Sequence, residues 1–295
     1  GLPAVVTVVL ALGMNGMAKR NAIIRRLVAV ETLGSATVIC SDKTGTLTLN
    51  EMTVKRIYID GQAVEVSGEG YQPRGEFRRN GRPVEPQSDH TLGLLLKIGT
   101  LCNDALLTRE NEESCNILGD PTEGALVVAA AKAGMDKEKL EMSFPRLGEM
   151  PFQSEKQYMA TLHPKDGGKV VYVKGSVERL LSLSRYIIKG GGAVPIQKAD
   201  IQAIEGAVSS MANAGMRVLA FAYAEVPLDF EELTDEVLRA QSIWVGMAGM
   251  TDPPRREAVE AVALCRQAGI NVVMITGDHK LMNVRMWNHP ATQRN

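Results

Sequence analysis

A chain of 295 residues is long enough for two domains, and its 45% hydrophobic and 23% charged residues exclude wholesale disorder. A formal net charge of −1 argues against a broad nucleic-acid surface, so no nucleic-acid partner is expected. Four cysteines without close paired spacing (Cys40, Cys102, Cys115 and Cys265) read as reduced thiols, and the four scattered histidines suggest no metal cluster.

The first predicted element is the apolar run GLPAVVTVVLAL, followed by basic residues through Arg26. It is about half the ~20 residues of a membrane span, which leaves a buried helix or the stump of a span as readings. ATVICS (36–41) reads as a strand, and the polar loop DKTGT follows at its carboxyl end. VKRIYI (54–59) is a strand closed by the turn Asp60-Gly61, and residues 68–90 look like a long Gly/Pro/Arg-rich loop. TLGLLLKIGTLCND and TEGALVVAAAKAG read as helices, and YMATLH and KVVYVK as a hairpin around KDGG. SVERLLSLS and QKADIQAIEGAVSSMANAG are helical, and RVLAFAYAEV is a strand. IWVGMAGM (243–250) is a further strand candidate for the sheet that holds 36–41. Two prolines open the predicted helix DPPRREAVEAVALCRQAG, with Ala258, Ala261, Val262 and Cys265 on one face. NVVMI (271–275) is a strand with TGDH as its loop.

Strand, helix and strand with polar loops at the carboxyl ends predict a parallel α/β sheet, with ligands outside those ends. The middle block has α+β character. The layout is therefore discontinuous: a sheet domain begins near residue 34, is interrupted after about 50 and resumes near 247. The alternative is a linear pair of domains.

Asp42 stands at the ligand-binding end of its strand, where a carboxylate serves as metal ligand, general base or nucleophile. As a nucleophile toward a phosphoryl group it would form a labile acyl phosphate. That chemistry needs Mg2+ and surrounding donors, which Lys43, Thr44, Thr46 and the amides near Gly45 can provide. Asp278 would help bind the metal or hold its loop. The bland reading makes Asp42 a cap or a loop solubiliser. No Walker A sequence is present.

CSDKTGTLTLNEMTV resembles the phosphorylation motif of the P-type cation-transporting ATPases, whose core DKTGTLT (42–48) is highly specific. The resemblance covers nearly the whole chain through GDPTEGAL (119–126), PFQSEKQYM (151–159), KGS (174–176), RVLA (217–220), TDPPR (251–255) and TGDH (276–279). It implies an α/β, haloacid-dehalogenase-like phosphorylation domain interrupted by an inserted α+β nucleotide-binding domain. It implies ATP and Mg2+ as cofactors, Asp42 as acceptor of the γ-phosphate, Thr44 as a magnesium ligand beside Asp42, Lys43 in the same loop, and Thr276, Gly277 and Asp278 near the phosphate. Asp252 matches a hinge aspartate near the nucleotide. The apolar start becomes the truncated end of the fourth membrane helix.

The resemblance also gives roles to residues of the middle block. Phe152 follows Pro151 in a polar loop and would otherwise be a core phenylalanine; it resembles the adenine-stacking residue. Glu123 would otherwise complete a capping box with Asp120; it resembles a residue near the adenine amino group. Lys174, at a strand end before Gly175, matches the pocket lysine beside the adenine, and Arg217 the arginine that reaches the phosphates. The expected division is 1–33 membrane-helix end and stalk, 34–50 and 247–280 phosphorylation domain, 51–246 nucleotide-binding domain, and 281–295 an atypical tail.

Partners implied are ATP, the transported cation, and the transmembrane and actuator domains of a multi-pass parent, with calcium as the implied cation. This chain alone would bind nucleotide without transporting. In many relatives a lysine stands five residues after the phenylalanine; here that residue is Gln157, and Lys156 falls on the other face of an extended segment. A soluble dehalogenase-like phosphatase is the alternative, although such enzymes carry a second acid where Thr44 stands.

Overall fold

The computed structural model describes residues 1–109, 115–230 and 232–275, which divide into two units. One comprises Gly1–Leu47 together with Arg255 through the last described residue, Ile275; the other is Thr48–Pro254.

The first unit opens with α1 (Leu2–Ala18), whose Pro3 lies in the first turn, where a missing N–H breaks no helical bond. None of its residues is buried, and no helix among the described residues is long and apolar enough to cross a membrane. After α2 (Val28–Gly34), strand β1 (Val38–Asp42) runs into the DKTGT loop. The loop is a type II turn: Thr44 has φ −74° and ψ 123°, and Gly45 has φ 75° and ψ −14°. A positive φ is required there, which is why glycine follows Thr44.

The second unit begins with β2 (Thr53–Ile59), β3 (Gln62–Val66), β4 (Phe77–Arg79) and β5 (Arg82–Pro83). Helix α3 (His90–Leu101), the hairpin β6 (Leu106–Arg109) and β7 (Cys115–Leu118), and helices α4 (Pro121–Lys132) and α5 (Lys137–Ser143) follow. Then come β8 (Gly148–Gln153), β9 (Tyr158–Lys165), β10 (Gly168–Gly175), α6 (Val177–Leu183), β11 (Ser184–Lys189) and β12 (Gly192–Pro195). The unit ends with α7 (Lys198–Asn213), β13 (Arg217–Val226), α8 (Asp235–Gln241) and β14 (Ser242–Thr251).

Its main sheet has eleven strands in the order β5-β4-β3-β2-β14-β13-β10-β9-β8, with β11 beside β14 and β12 beside β11. One face carries Val54, Ile57, Tyr172, Phe221 and Met250, packed with Leu92, Leu95 and Ile98 of α3 and Ala125, Leu126 and Ala129 of α4. The other carries Tyr158, Val171, Ala222, Trp244 and Met247, packed with Leu180 of α6, Ile204 and Met211 of α7, and Leu238 of α8.

The chain then returns to the first unit as α9 (Arg256–Gln267) and β15 (Asn271–Ile275). β15 pairs with β1 in parallel, from Val38 opposite Asn271 to Asp42 opposite Ile275. The expected class, an α/β part interrupted by an α+β insert, is the one found.

Three local readings are corrected. IWVGMAGM does not join the parallel pair: as β14 it is the middle of the insert's sheet, antiparallel to β2 and β13. Helices cover both faces there, so the strand is apolar throughout and periodicity cannot assign it to a sheet. The expected boundary at 246/247 consequently falls inside a strand. Residues 68–90 are not all loop, because β4 and β5 form a hairpin whose turn, Asn80 and Gly81, has φ 50° and 77°. Asn-Gly is the strongest short hairpin signal, and Phe77 is buried. Finally, the two prolines do not open α9. Arg255 is the N-cap of α9, and Pro254 instead makes an antiparallel bridge with Thr48, with Leu49 N–H donating to Pro253 O at 3.0 Å.

Candidate functional site

In the first unit Asp42 closes β1 with its side chain exposed, and Thr44, Gly45 and Thr46 are exposed beside it, while Lys43 is buried. The loop is held from α9's side: Arg255 Nη2 donates to Gly45 O at 3.2 Å, and Arg255 N–H donates to Leu47 O at 2.9 Å. Leu47 is buried at the loop's base. A strand-end carboxylate is thus presented on a turn fixed by its glycine and by a backbone clamp. Thr276, Gly277 and Asp278 lie outside the described residues. For Mg2+, the Asp42 carboxylate and the Thr44 carbonyl are oxygen donors of the kind a hard cation takes. Among the described residues no group of three or more His, Cys, Asp or Glu side chains could hold a metal.

The second unit gathers its polar groups around the N-terminus of α4. Asp120 caps the helix, accepting from Thr122 N–H at 2.8 Å and Glu123 N–H at 3.2 Å, and Pro121 occupies the first turn. Glu123 does not complete the reciprocal half of a capping box. Its carboxylate turns instead to the ammonium of Lys174, with which it pairs, and to Asp104 N–H at 3.0 Å.

Lys174 lies on β10 between Met159 of β9 and Phe221 of β13, and only 6% of its surface is exposed. A cation so buried needs a partner, and Glu123 is the acid that supplies one. Gly175 follows because a Cβ there would stand 2.4 Å from Gln157 O and 2.6 Å from Tyr158 Cβ. Arg217, the exposed first residue of β13, donates from Nη1 to Thr122 Oγ1 at 2.9 Å.

Phe152 is 61% exposed, so it is not a core phenylalanine. β8 and β9 shift register between Met150 and Gln153, and Gln153 comes opposite Tyr158. Tyr158 belongs to the α6–α8 face, so alternation puts Phe152, next to Gln153, on the face of Lys174. Lys156 lies elsewhere: its ammonium is 3.2 Å from Asp235 Oδ1, beside the Tyr158 hydroxyl bound to the same carboxylate oxygen at 2.6 Å.

Asp252 is occupied at the unit's two chain ends. Its Oδ2 accepts from Thr48 Oγ1 at 2.6 Å and its Oδ1 from Glu51 N–H at 3.2 Å. The nearby Tyr71 hydroxyl is pushed up to about 12, first by burial and then by the carboxylates of Glu51, Asp252 and Asp120. The structure therefore joins Glu123, Lys174 and Arg217 through α4, sets Phe152 on the same sheet face, and gives Asp252 a bracing contact. Sequence reasoning missed Asn103, Asp104 and Thr122. Thr122 was visible as the residue beside Glu123; Asn103 and Asp104 carried only a helix-end signal.

An exposed ring, a buried ammonium–carboxylate pair and a guanidinium on one face fit a purine nucleotide, which takes an aromatic platform and cations at its phosphates. The family model of the P-type ATPase cytoplasmic domain N matches residues 91–257, more than half of the chain. The chain belongs to the P-type cation ATPases. As a member of that family it is 50% identical over 288 residues to the cation-transporting ATPase pma1 of Synechocystis sp., which covers 95% of this chain and 31% of that protein. It is 46% identical over 284 residues to the probable cation-transporting ATPase F of Mycobacterium tuberculosis, and 38% over 280 residues to a calcium-transporting ATPase of Bacillus subtilis. In both comparisons 95% of this chain and 31% of the relative are covered. The P-type segment described here thus spans about a third of the length of these curated relatives.

Proposed function

We propose that this chain carries the ATP-using machinery of a membrane cation pump, in which Asp42 is transiently phosphorylated. The observation that carries the reading is the exposed Asp42 at the carboxyl end of a parallel strand, followed by a tight turn of threonines and glycine in a P-type chain. An Asp42 oxygen attacks the γ-phosphorus of ATP, the bond to the β–γ bridging oxygen breaks, and ADP leaves with that electron pair. Mg2+, held by the Asp42 carboxylate and the Thr44 carbonyl, would neutralise charge on the phosphate oxygens. Thr44 stands where a phosphatase of this kind carries its second acid, and a hydroxyl there is too weak a base to hasten hydrolysis of the acyl phosphate. Lys43, Thr276, Gly277 and Asp278 complete the phosphate loop in this reading.

Phe152 stacks on the adenine, Glu123 accepts from its amino group, Lys174 and Gly175 line its edge, and Arg217 reaches the phosphates. Asp252 acts at the link through which the nucleotide-binding unit, residues 48–254, joins the phosphorylation unit. The parent is a multi-pass membrane protein with transmembrane and actuator domains as partners. Calcium is the proposed cargo, supported by calcium-transporting relatives at 38% and 40% identity.

The test uses the full-length protein and ATP labelled in the γ-phosphate. Label should appear on Asp42, be released by hydroxylamine and vanish in Asp42→Asn, while nucleotide binding persists. A hydroxylamine-resistant label on Thr44 or Thr46 would overturn the mechanism. Calcium-dependent labelling is expected; labelling that responds to another cation alone would replace the cargo.

A further inference from the structure

The carboxylate of Glu123 is aimed by a turn that nothing in the reaction itself requires. Asn103, which follows α3, is wholly buried, and its side-chain amide makes three hydrogen bonds. Nδ2 donates to Gly99 O at 2.8 Å and to Glu123 O at 2.9 Å, while Oδ1 accepts from Ala105 N–H at 2.8 Å. The turn so formed points Asp104 N–H at Glu123 Oε2, 3.0 Å away. Two cations clamp it from behind. Lys137 Nζ donates to Asn103 O and Ala105 O, each at 2.8 Å, and Arg146 Nη2 donates to Leu101 O at 3.3 Å and Asn103 O at 3.0 Å. Arg146 Nη1 also holds the Asp104 carboxylate at 2.7 Å.

A buried amide satisfied on both its donor and acceptor sides fixes its surroundings closely, because any shift leaves a polar group unpaired. Here the surroundings are the main chain of Glu123 and the N–H that orients its carboxylate. We infer that Asn103, with the 101–105 turn it pins, is the positioning element that orients Glu123 and so sets the preference for a purine bearing an exocyclic amino group. Asn103 touches no substrate; it acts through Glu123. The inference rests on the adenine reading of Glu123 given above.

The test compares ATP with inosine triphosphate, which lacks the amino group, as ligands of the 295-residue chain. Wild type should prefer ATP by about tenfold, the worth of one hydrogen bond to a charged acceptor. Asn103→Asp keeps the size and the acceptor for Ala105 N–H but sets a carboxylate against two carbonyl oxygens. It should bring the two nucleotides within about twofold of each other by weakening ATP, with inosine triphosphate affinity unchanged. General loss of structure would lower both equally. Arg146→Ala loosens the same turn from its partly exposed side and should act in the same direction; it decides the matter if Asn103→Asp does not fold. A wild-type ratio in whichever of these variants folds overturns the inference while leaving the adenine reading intact. If instead wild type shows no preference, or Glu123→Ala retains it, the adenine reading fails and this inference with it.

Discussion

Replacing Glu123 by alanine would strand the Lys174 ammonium, whose side chain is 7% exposed, opposite an empty space where its partner carboxylate had been. Breaking a buried ion pair by removing one member costs about 3–5 kcal/mol. The Glu123 side chain is 19% exposed, so water reaches one side of the pair and the cost falls below that range, to about 2–3 kcal/mol. For a domain of this size that is a fall of about 4–12 °C in melting temperature. Residues 48–254 contain Trp244 as their single tryptophan, buried between α8 and the sheet, so its fluorescence reports unfolding of this unit in urea. The same fragment is expected to fold alone, since both core clusters are built within it. Adding Lys174→Met to Glu123→Ala removes the orphaned charge and should recover most of the stability, because apolar replacement of a buried pair is commonly neutral or better. ATP binding should not recover. A loss below about 0.5 kcal/mol for Glu123→Ala, or a double variant less stable than the single one, would refute the claim that burial makes this pair interdependent.

Gly175→Ala forces a methyl against Gln157 O and Tyr158 Cβ at 2.4 and 2.6 Å, and overpacking of this kind should cost about 1–3 kcal/mol in urea unfolding. Phe152→Ala, at an exposed ring, should leave stability within about 0.5 kcal/mol and weaken ATP binding by about 1–3 kcal/mol in calorimetry. Unchanged affinity would reject the stacking role. Lys97, whose ammonium lies 3.1 Å from the centre of the Phe144 ring, is lowered from 10.5 to about 8, first by burial and then by Lys165. Between these values the unfolded chain holds more protons than the folded one, so stability should rise with pH from about 8 toward 10.5. Lys97→Met should reduce that rise, leaving the share of Lys132, which burial also lowers to about 8, measured as the urea midpoint at pH 8 and pH 10.

The elements that sequence reading located well were those with a local physical signature. Asp120, able to cap three residues before Glu123, announced the start of α4, KDGG announced the β9–β10 turn, and the ATVIC and NVVMI runs supplied the parallel pair. What failed was sheet membership. Met247 and Ala248 meet Tyr58 and Ile57, residues almost 200 positions earlier, and no local pattern encodes that pairing. Pro253 and Pro254 misled because proline suits both a helix start and an extended link, and pairing with Leu49 decided between them. Motif resemblance alone names Glu123, Phe152, Lys174 and Arg217, and the fold sets them on one side of the insert's sheet. The pairing of Glu123 with Lys174 was not legible, since capping was an equally good local use of a glutamate. Asn103 was illegible because its importance lies in three bonds made inside the core.

The placement of β14 has a consequence for how the chain is made. Its ten residues form the last strand of the insert to leave the ribosome, yet they pair with β2, β13 and β11. Until Thr251 emerges, β2–β5, β8–β10 with β13, and β11–β12 are three pieces of one sheet, each with an edge that β14 has yet to pair. Such edges invite pairing with other nascent chains, and closure over so long a separation is slow. A translational pause that holds β14 inside the ribosome would prolong that exposure, whereas one after it has emerged would leave the seam free to close. In this insert the keystone is synthesised last.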